Sequence, residues 1–142
     1  MKVVMAVDHS QFTADVVQAA LQQFRPEQTE VRVLHVLQPA APAPPQMSPG
    51  YAPELAGQKK PAQDLVEGVA QKLRDSGFKA SGTVEVGDVR EQIVDTAAEW
   101  PADLILVASH GRKSVARLLL GSVAEFVARH AACSVEIVRR AT

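Results

Sequence analysis

Two hydrophobic patterns alternate along this chain of 142 residues, and their alternation constrains the fold more than any other feature. Short continuous apolar runs rich in β-branched residues are typical of strands that are covered on both faces. Between them, apolar residues recur every three or four positions, as on one face of a helix. The strand-like runs are residues 2–8, 31–37, 80–86, 103–108 and 134–139, and the helix-like segments are residues 11–25, 61–76, 89–99 and 122–131.

Five strands that alternate with four helices predict a single-domain, doubly wound α/β fold with a parallel sheet. Right-handed crossovers place helices on both faces of such a sheet. Ligands bind beyond the carboxyl ends of the strands, where the winding reverses. Periodicity does not give the strand order. If the first and fourth strands are neighbours, Asp8 and residues 108–111 face the same crevice.

Local signals mark the loops and the ends of the predicted helices. The segment QPAAPAPPQMSPGYAP carries prolines that forbid a central strand or a helix, so residues 38–59 are predicted to form a long extended loop. Gly77 suits the left-handed position after a helix end, with Phe78 packing back on the helix. Asp88 is a candidate N-cap for the third helix, and Trp100-Pro101 ends that helix.

Composition and charge exclude several classes of partner. The net charge of −1 and the pI of about 6.4 predict no sequence-independent binding to nucleic acid or to an anionic membrane. No apolar run approaches the roughly 20 residues of a membrane-spanning helix. The first strand follows Met1 directly, which leaves no room for a signal peptide, and Cys133 has no second cysteine to pair with. We therefore expect a cytoplasmic location, with Cys133 as a small apolar residue.

Glycines stand at two places that suit phosphate binding. In VASHGRKSVARLLLGSV, residues 107–123, Gly111 follows the fourth strand and Gly121-Ser122 precedes the last helix. Backbone N–H groups without a nearby Cβ, at the positive end of a helix, are suited to cradle phosphate. The residues alone also allow Gly121 to cap a helix and Gly111 to turn a loop. Three basic residues of the intervening loop supply positive charge nearby: Arg112, Lys113 and Arg117.

Other chemistries receive no support from the spacing. Successive residues at a strand end point in different directions, so Asp8-His9-Ser10 does not form a catalytic triad, and His35 is interpreted as a satisfied core histidine. The four histidines lack zinc-ligand spacing. Gly111 lacks the Gly-Lys-Ser/Thr of a P-loop. The chain also lacks the clustered acids of a response-regulator receiver and the Ser-Gly-Gly turn of an ATP pyrophosphatase.

These motifs together resemble the universal stress protein family over essentially the whole chain. The resemblance lies in His110-Gly111, nine residues, Gly121-Ser122-Val123, the later Ala-Cys-Ser-Val, the opening VVMAVDHS and the LHV of the second strand. In the ATP-binding branch the motif is Gly, two residues, Gly, nine residues, Gly, then Ser or Thr. Ala108 stands where the first glycine of that motif belongs. The resemblance implies a sheet of order 3-2-1-4-5 and a homodimer joined through residues 134–139.

The resemblance also implies an ATP site, with Mg²⁺ held by Asp8 and Ser122. Asp8 is implied to contact the ribose or a phosphate-bound metal, and Val36 to contact adenine partly through its backbone; on the residues alone, Asp8 equally suits a cap of the first helix. A left-handed Ala108 would weaken binding by about 5–30-fold, whereas a negative φ would cost nothing. The implied nucleotide-binding residues are Ala6, Val7, Asp8, Val36, Val107, Ala108, His110, Gly111, Arg112, Gly121, Ser122 and Val123.

The expected function is that of an ATP-binding stress-response or signalling protein whose nucleotide occupancy modulates dimer or partner interactions. Two alternatives stay open. One is a nucleotide-free interaction module of the same fold, supported by Ala108, and the other is a slow ATP hydrolase. Catalysis beyond weak ATP hydrolysis is not expected, because no general base is evident at the implied site. Glu136 is the weak point of the implied dimer, since carboxylates near a two-fold axis repel each other.

Overall fold

The computed structural model describes residues 1–39, 53–110 and 120–139, and these residues build one five-stranded parallel sheet flanked by helices. The strands are Lys2–Ala6 (β1), Glu30–Leu37 (β2), Lys79–Val86 (β3), Leu104–Ala108 (β4) and Ser134–Val138 (β5). The helices are Phe12–Gln23 (α1), Lys59–Asp75 (α2), Val89–Glu99 (α3) and Ser122–His130 (α4). Short 3-10 helices cover Pro26–Gln28 and Pro53–Gln58.

The strand order is β3-β2-β1-β4-β5, which confirms the predicted doubly wound sheet. β1 lies between β2 and β4, and it pairs with both in parallel. The chain winds outward from β1 through β2 to β3, and then returns to the other side of β1 to form β4 and β5. The winding therefore reverses between β1 and β4, where this class of fold places its ligand sites.

Helices cover both faces of the sheet, as the hydrophobic periods predicted. One face of the sheet packs against α1 and α2, and the opposite face packs against α3 and α4. The strands alternate between the two clusters because successive side chains point to opposite faces. The helical residues of the first cluster are Val16, Val17, Ala20, Val66, Ala70 and Leu73, and those of the second are Ile93, Ala97, Ala124 and Val127.

The end of α2 shows how local sequence sets a boundary. Gly77 adopts a left-handed φ of 95°, and its N–H donates to the carbonyl of Arg74. The N–H of Phe78 donates to the carbonyl of Leu73, and the Phe78 ring is buried in the cluster of the α1/α2 face. This pair of bonds is a Schellman motif, which satisfies carbonyls at the end of the helix. Both predictions for this end are confirmed.

Most predicted element bounds shift by one or two residues in the structure, and two of these shifts change an interpretation. The prediction of an extended loop over residues 38–59 is wrong at its end, because residues 53–58 form a 3-10 helix and α2 starts at Lys59. Leu55 is buried with Leu37 and Ala62, and this contact accounts for the 3-10 helix. Pro61 does not prevent the earlier start of α2, because a proline in the first turn of a helix loses no hydrogen bond. Most of that loop, residues 40–52, lies outside the described residues. β1 ends at Ala6, so the prediction that Asp8 closes the strand is also wrong.

Candidate functional site

The winding of the sheet reverses beside β1, and the carboxyl ends of β1, β2 and β4 lie side by side there. The N–H of Val7 donates to the carbonyl of Leu34 over 2.9 Å, so β1 stays paired with β2 beyond its last residue. Continuing the register of both strand pairs sets Asp8 beside Val36 on one side and beside Ser109 on the other. The prediction that Asp8 and the end of β4 share a crevice is therefore consistent with the observed topology.

The turn between β1 and α1 is held by the side chains of Asp8 and Thr13. Oδ1 of Asp8 accepts the N–H of Ser10 over 2.8 Å. The Thr13 hydroxyl accepts the N–H of Asp8 over 3.0 Å and donates to its carbonyl over 2.7 Å. Asp8 thus stabilises the turn before α1 and leaves the N-cap position to Gln11, which makes no side-chain cap. Among the described residues, Oδ2 of Asp8 has no hydrogen-bond partner.

His35 is a satisfied core histidine, as predicted. Its ring is 9% exposed, and Nδ1 lies 2.8 Å from the carbonyl oxygen of Val7. A carbonyl only accepts hydrogen bonds, so Nδ1 carries the proton in this contact. The ring also meets His9 edge-on, with 5.4 Å between the ring centroids. His35 therefore fastens β2 to the end of β1 beneath the crevice.

Ser109 joins β4 to the two elements that follow it. It is 3% exposed; its N–H donates to the carbonyl of Val138 over 2.8 Å and its carbonyl accepts the N–H of Gly121 over 2.7 Å. One buried residue therefore fixes both the edge strand β5 and the start of α4. Sequence reasoning missed Ser109, because neither bond leaves a pattern in the sequence.

The start of α4 has no side-chain cap from residues 1–39, 53–110 or 120–139. Gly121 is the N-cap residue, with φ −66° and ψ 160°. The first helical bond runs from the N–H of Glu125 to the carbonyl of Gly121, which leaves the N–H groups of residues 122–124 without a helical partner. The N–H of Gly121 donates to the carbonyl of Ser109, and the role of Gly121 in phosphate binding stays a prediction.

Ala108 occupies an ordinary strand position. It is the last residue of β4 and pairs with Val138, and its half-buried side chain packs against the α1/α2 cluster. No non-glycine residue in the described part of the chain has a positive φ. The left-handed conformation considered for Ala108 is therefore absent.

The remaining predicted residues divide into buried and outlying positions. The side chains of Val7, Val36 and Val107 are buried in the two clusters, so they present mainly backbone to a ligand. Ala6 and Val123 are half-buried and pack against the α3/α4 cluster. Nδ1 of half-buried His110 lies 3.2 Å from the Ser109 hydroxyl, and its ring lies near Phe12. Predicted residues that lie outside the described part are Gly111 and Arg112, together with the basic Lys113 and Arg117.

A groove of about 540 Å³ runs between α1 and α2 and opens at the β1–α1 turn. Its floor and walls are formed in part by Val17, Leu21, Leu65 and Val69. Asp8 lines one end of the groove, together with His9 and Ser10 of the turn and Thr13 of α1. The groove and the strand-end crevice therefore share Asp8.

Three further features of residues 1–39, 53–110 and 120–139 bear on function. None of their helices has the length and apolar character that crossing a membrane demands. They contain no cluster of three or more histidine, cysteine or acidic side chains arranged to hold a metal ion. Burial raises the pKa of the Cys133 thiol, with a smaller contribution from nearby Asp103, which keeps the thiol protonated. The protonated form agrees with the prediction of an unreactive cysteine.

Comparison with known proteins identifies the family. The model of the universal stress protein family matches residues 1–139. The chain belongs to the universal stress protein family. It is 27% identical to universal stress protein Sll1388 of Synechocystis sp. over 97% of both chains. Among solved structures it is similar in fold to universal stress protein UspA of Lactobacillus plantarum, with a TM-score of 0.83, 23% identity, and coverage of 98% of this chain and 97% of that one.

Several similar structures of this family hold an adenine nucleotide. The universal stress protein of Archaeoglobus fulgidus is solved in complex with dAMP; its TM-score is 0.71, its identity 23%, and 98% of each chain is covered. A family member from Arabidopsis thaliana is solved with AMP bound, and another universal stress protein is solved with cAMP. At these identities the likeness establishes the shared fold alone.

Proposed function

We propose that this universal stress protein binds an adenine nucleotide, ATP by preference, in the crevice at the carboxyl ends of β1, β2 and β4. The observation that carries the proposal is the start of α4, which no side chain of the described residues caps. α4 follows β4, whose end lies level with Asp8. Relatives of the same fold bind AMP, dAMP and cAMP, which supports an adenine nucleotide over other anions.

The phosphates would bind at the start of α4. The N–H groups of Ser122, Val123 and Ala124 have no helical partner, and the positive end of the helix dipole favours an anion there. The exposed Ser122 hydroxyl adds a donor. We include Gly111 and Arg112 in the proposed site because the family motif contains this loop, although both lie outside the described residues.

The nucleoside would lie over the ends of β1, β2 and β4. Asp8 offers Oδ2, which no described residue engages, as an acceptor for a ribose hydroxyl or for the base. Val36 and Val107 have buried side chains, so their contribution would come from backbone groups that read the edge of adenine. Ala6, Val7, Ala108 and His110 complete the proposed walls.

The side chains of the crevice also suit Mg²⁺ bound together with the nucleotide. Asp8 and Ser122 supply hard oxygen ligands, which Mg²⁺ prefers. The described residues contain no larger metal-ligating cluster, so the ion would depend on phosphate oxygens and water for its other ligands. In that role Mg²⁺ would neutralise phosphate charge, and the protein would orient it through one carboxylate and one hydroxyl.

Binding is proposed to regulate association during stress or signalling. Ser109 bonds both to β5 and to the start of α4, so a change at the phosphate end has a direct connection to the edge of the sheet. The cytoplasmic location stays a prediction.

The proposed homodimer would form along β5. In the observed order β5 is an edge strand, and an edge exposes backbone groups that a second copy can pair with. Val135 and Ile137 pack on the α3/α4 cluster of their own chain, so backbone pairing would contribute more than those side chains. Light scattering after gel filtration should give about twice the chain mass of 15.2 kDa. The single-chain mass at micromolar concentration would rule the dimer out.

The nucleotide proposal is tested on purified wild-type protein. Denaturation followed by mass spectrometry should release close to one adenine nucleotide per chain. Calorimetry with Mg-ATP on nucleotide-stripped protein should show saturable heat, and bound nucleotide should raise the melting temperature. If there is no bound nucleotide, no heat and no thermal shift at millimolar Mg-ATP, the protein is a nucleotide-free interaction module. The engaged N–H of Gly121 favours this second candidate.

A further inference from the structure

We infer that Thr13 is a positioning residue, whose hydroxyl holds Asp8 in the orientation that nucleotide binding requires. The effect of Thr13 on nucleotide affinity rests on the proposed function, but the positioning of Asp8 by Thr13 is a property of the free protein. Thr13 belongs to α1 and Asp8 lies outside that helix, so the contact joins two elements of the chain.

Three contacts converge on the Thr13 hydroxyl. It accepts the N–H of Asp8 over 3.0 Å, donates to the carbonyl of Asp8 over 2.7 Å, and lies 3.4 Å from Oδ1 of the same residue. A hydroxyl is able to accept and donate at once, so a single group fixes the peptide units on both sides of Asp8. An isosteric valine side chain provides neither bond.

The alternative supports for Asp8 are few. Among the described residues, the Asp8 side chain has one other hydrogen bond, from the N–H of Ser10 to Oδ1. That bond lies within the same turn, and Ser10 itself accepts the N–H groups of Phe12 and Thr13. His9 is exposed and makes a ring contact with His35 instead of holding Asp8. Removal of the Thr13 hydroxyl therefore leaves the bond from Ser10 as the one hydrogen bond of Asp8 among the described residues.

Fixing one carboxylate oxygen directs the other. With Oδ1 held by Ser10 and near Thr13, Oδ2 is the atom available to a ligand. A binding group held in one rotamer loses less conformational entropy when the ligand arrives. Thr13 would thus raise affinity without touching the nucleotide, and its effect would pass entirely through Asp8.

The binding experiment compares Thr13→Val, Thr13→Ser and the double variant Asp8→Asn with Thr13→Val. We expect Thr13→Val to weaken Mg-ATP about five- to tenfold, the loss typical of one or two hydrogen bonds. Thr13→Ser should restore wild-type affinity. In the Asp8→Asn background, Thr13→Val should add no further loss, since coupled residues are not additive. Additive losses would overturn the inference, and so would failure of the serine variant to rescue.

A measurement without nucleotide separates this inference from the proposed function. NMR on the free protein should show one χ1 rotamer and a protected amide for Asp8, and Thr13→Val should average the rotamer and speed exchange of that amide. Unchanged rotamer and exchange would overturn the inference even if ATP binds. If wild type binds no nucleotide, the proposed function fails and the NMR result still decides the positioning role.

Matched controls guard against a general loss of stability. Thr83→Val makes the same isosteric change in β3, and it should alter neither ATP affinity nor the Asp8 signals. If Thr13→Val does not fold, Thr13→Ala is the substitute, because it removes the hydroxyl without adding a methyl group. A similar effect of Thr83→Val on affinity would show that the response is not specific to Thr13.

Discussion

α3 and α4 pack side by side on one face of the sheet. The two helices differ in whether side chains accept the N–H groups of the first turn. At α3, Oδ1 of Asp88 accepts the N–H of Glu91 over 3.1 Å, and Oε1 of Gln38 accepts the N–H of Val89 over 3.0 Å. At α4, the N-cap is Gly121, and no side chain in the described part of the chain bonds to the helix start. Both helices begin beyond the carboxyl end of a parallel strand.

The difference separates a structural helix start from a candidate binding site. The donors of α3 are used by the protein itself, so an anion would have to displace a carboxylate to reach them. No described residue caps the donors of α4 with a side chain, although such a cap would stabilise the helix. A helix start beside a topological switch point that forgoes such a cap favours phosphate binding.

The largest expected effect comes from converting the start of α4 into that of α3. Gly121→Asp places a carboxylate at the N-cap, where the φ of −66° and ψ of 160° accept any residue. It should lower Mg-ATP affinity at least about a hundredfold, through like-charge repulsion and occupation of the free N–H groups. Stability should rise by a few tenths to about 1 kcal/mol, because aspartate caps a helix better than glycine. Calorimetry and thermal denaturation measure the two effects.

Gly121→Asn is the matched control, since asparagine caps a helix without adding charge. Its stability should be close to that of the aspartate variant, whereas its loss of Mg-ATP affinity should be smaller. Wild-type affinity in Gly121→Asp would mean that the start of α4 is not where the phosphates bind, and the contrast with α3 would then have no functional meaning.

The architecture was predictable because burial imposes it on the sequence. Strands covered on both faces require continuous apolar runs, and helices covered on one face require a stripe, so LILVA and the spacing of Val89, Ile93 and Ala97 predict their elements directly. The order of the strands came from the family resemblance, because periodicity contains no information on which strands are neighbours.

The details of the site were less predictable because they depend on backbone bonds. The glycine motif pointed to Gly121, but the sequence cannot show that Ser109 accepts its N–H. A hydroxyl in the first turn of a helix is only a weak sequence signal, and Thr13 was missed. Its partner Asp8 lies five residues earlier, in a turn whose shape the sequence does not show. Asp88 was predicted as a cap because the carboxylate and the N–H of Glu91 are only three residues apart.

A smaller effect is expected at the capped helix. Asp88→Ala should lower the free energy of unfolding by about 1 kcal/mol, the usual cost of losing an N-cap. Nucleotide affinity should stay unchanged, since α3 does not take part in the proposed site. Asp88→Asn should retain most of the stability. Urea denaturation measures the first effect and calorimetry the second. A loss of ATP affinity in Asp88→Ala would contradict the assignment of α3 as a purely structural helix start.

The cap of α3 should also depend on pH. The N–H of Glu91 lowers the pKa of Asp88 below its usual 3.8, opposed by partial burial and aided by Arg90. Because the folded-state pKa is depressed, the contribution of the carboxylate is present above the unfolded value and is lost as pH falls through the folded value. The stability difference between wild type and Asp88→Asn should therefore change below about pH 4. A difference that stays constant down to pH 2 would show that the charge of Asp88 adds nothing to its cap.

Only a slight effect on binding is expected at Ala108, which replaces a glycine of the family motif. Its φ is negative and it pairs with Val138, so the left-handed conformation that would penalise alanine does not occur. Ala108→Gly should therefore change Mg-ATP affinity by no more than about twofold, while it lowers stability by about 0.5–1 kcal/mol through the added freedom of the unfolded chain. Ala80→Gly is the matched control, because Ala80 also sits half-buried in a strand against the α1/α2 cluster. If Ala108→Gly alone tightens Mg-ATP binding fivefold or more, the nucleotide-bound state needs a different backbone conformation at this position. The N–H groups at the start of α4 would then share nucleotide binding with the end of β4.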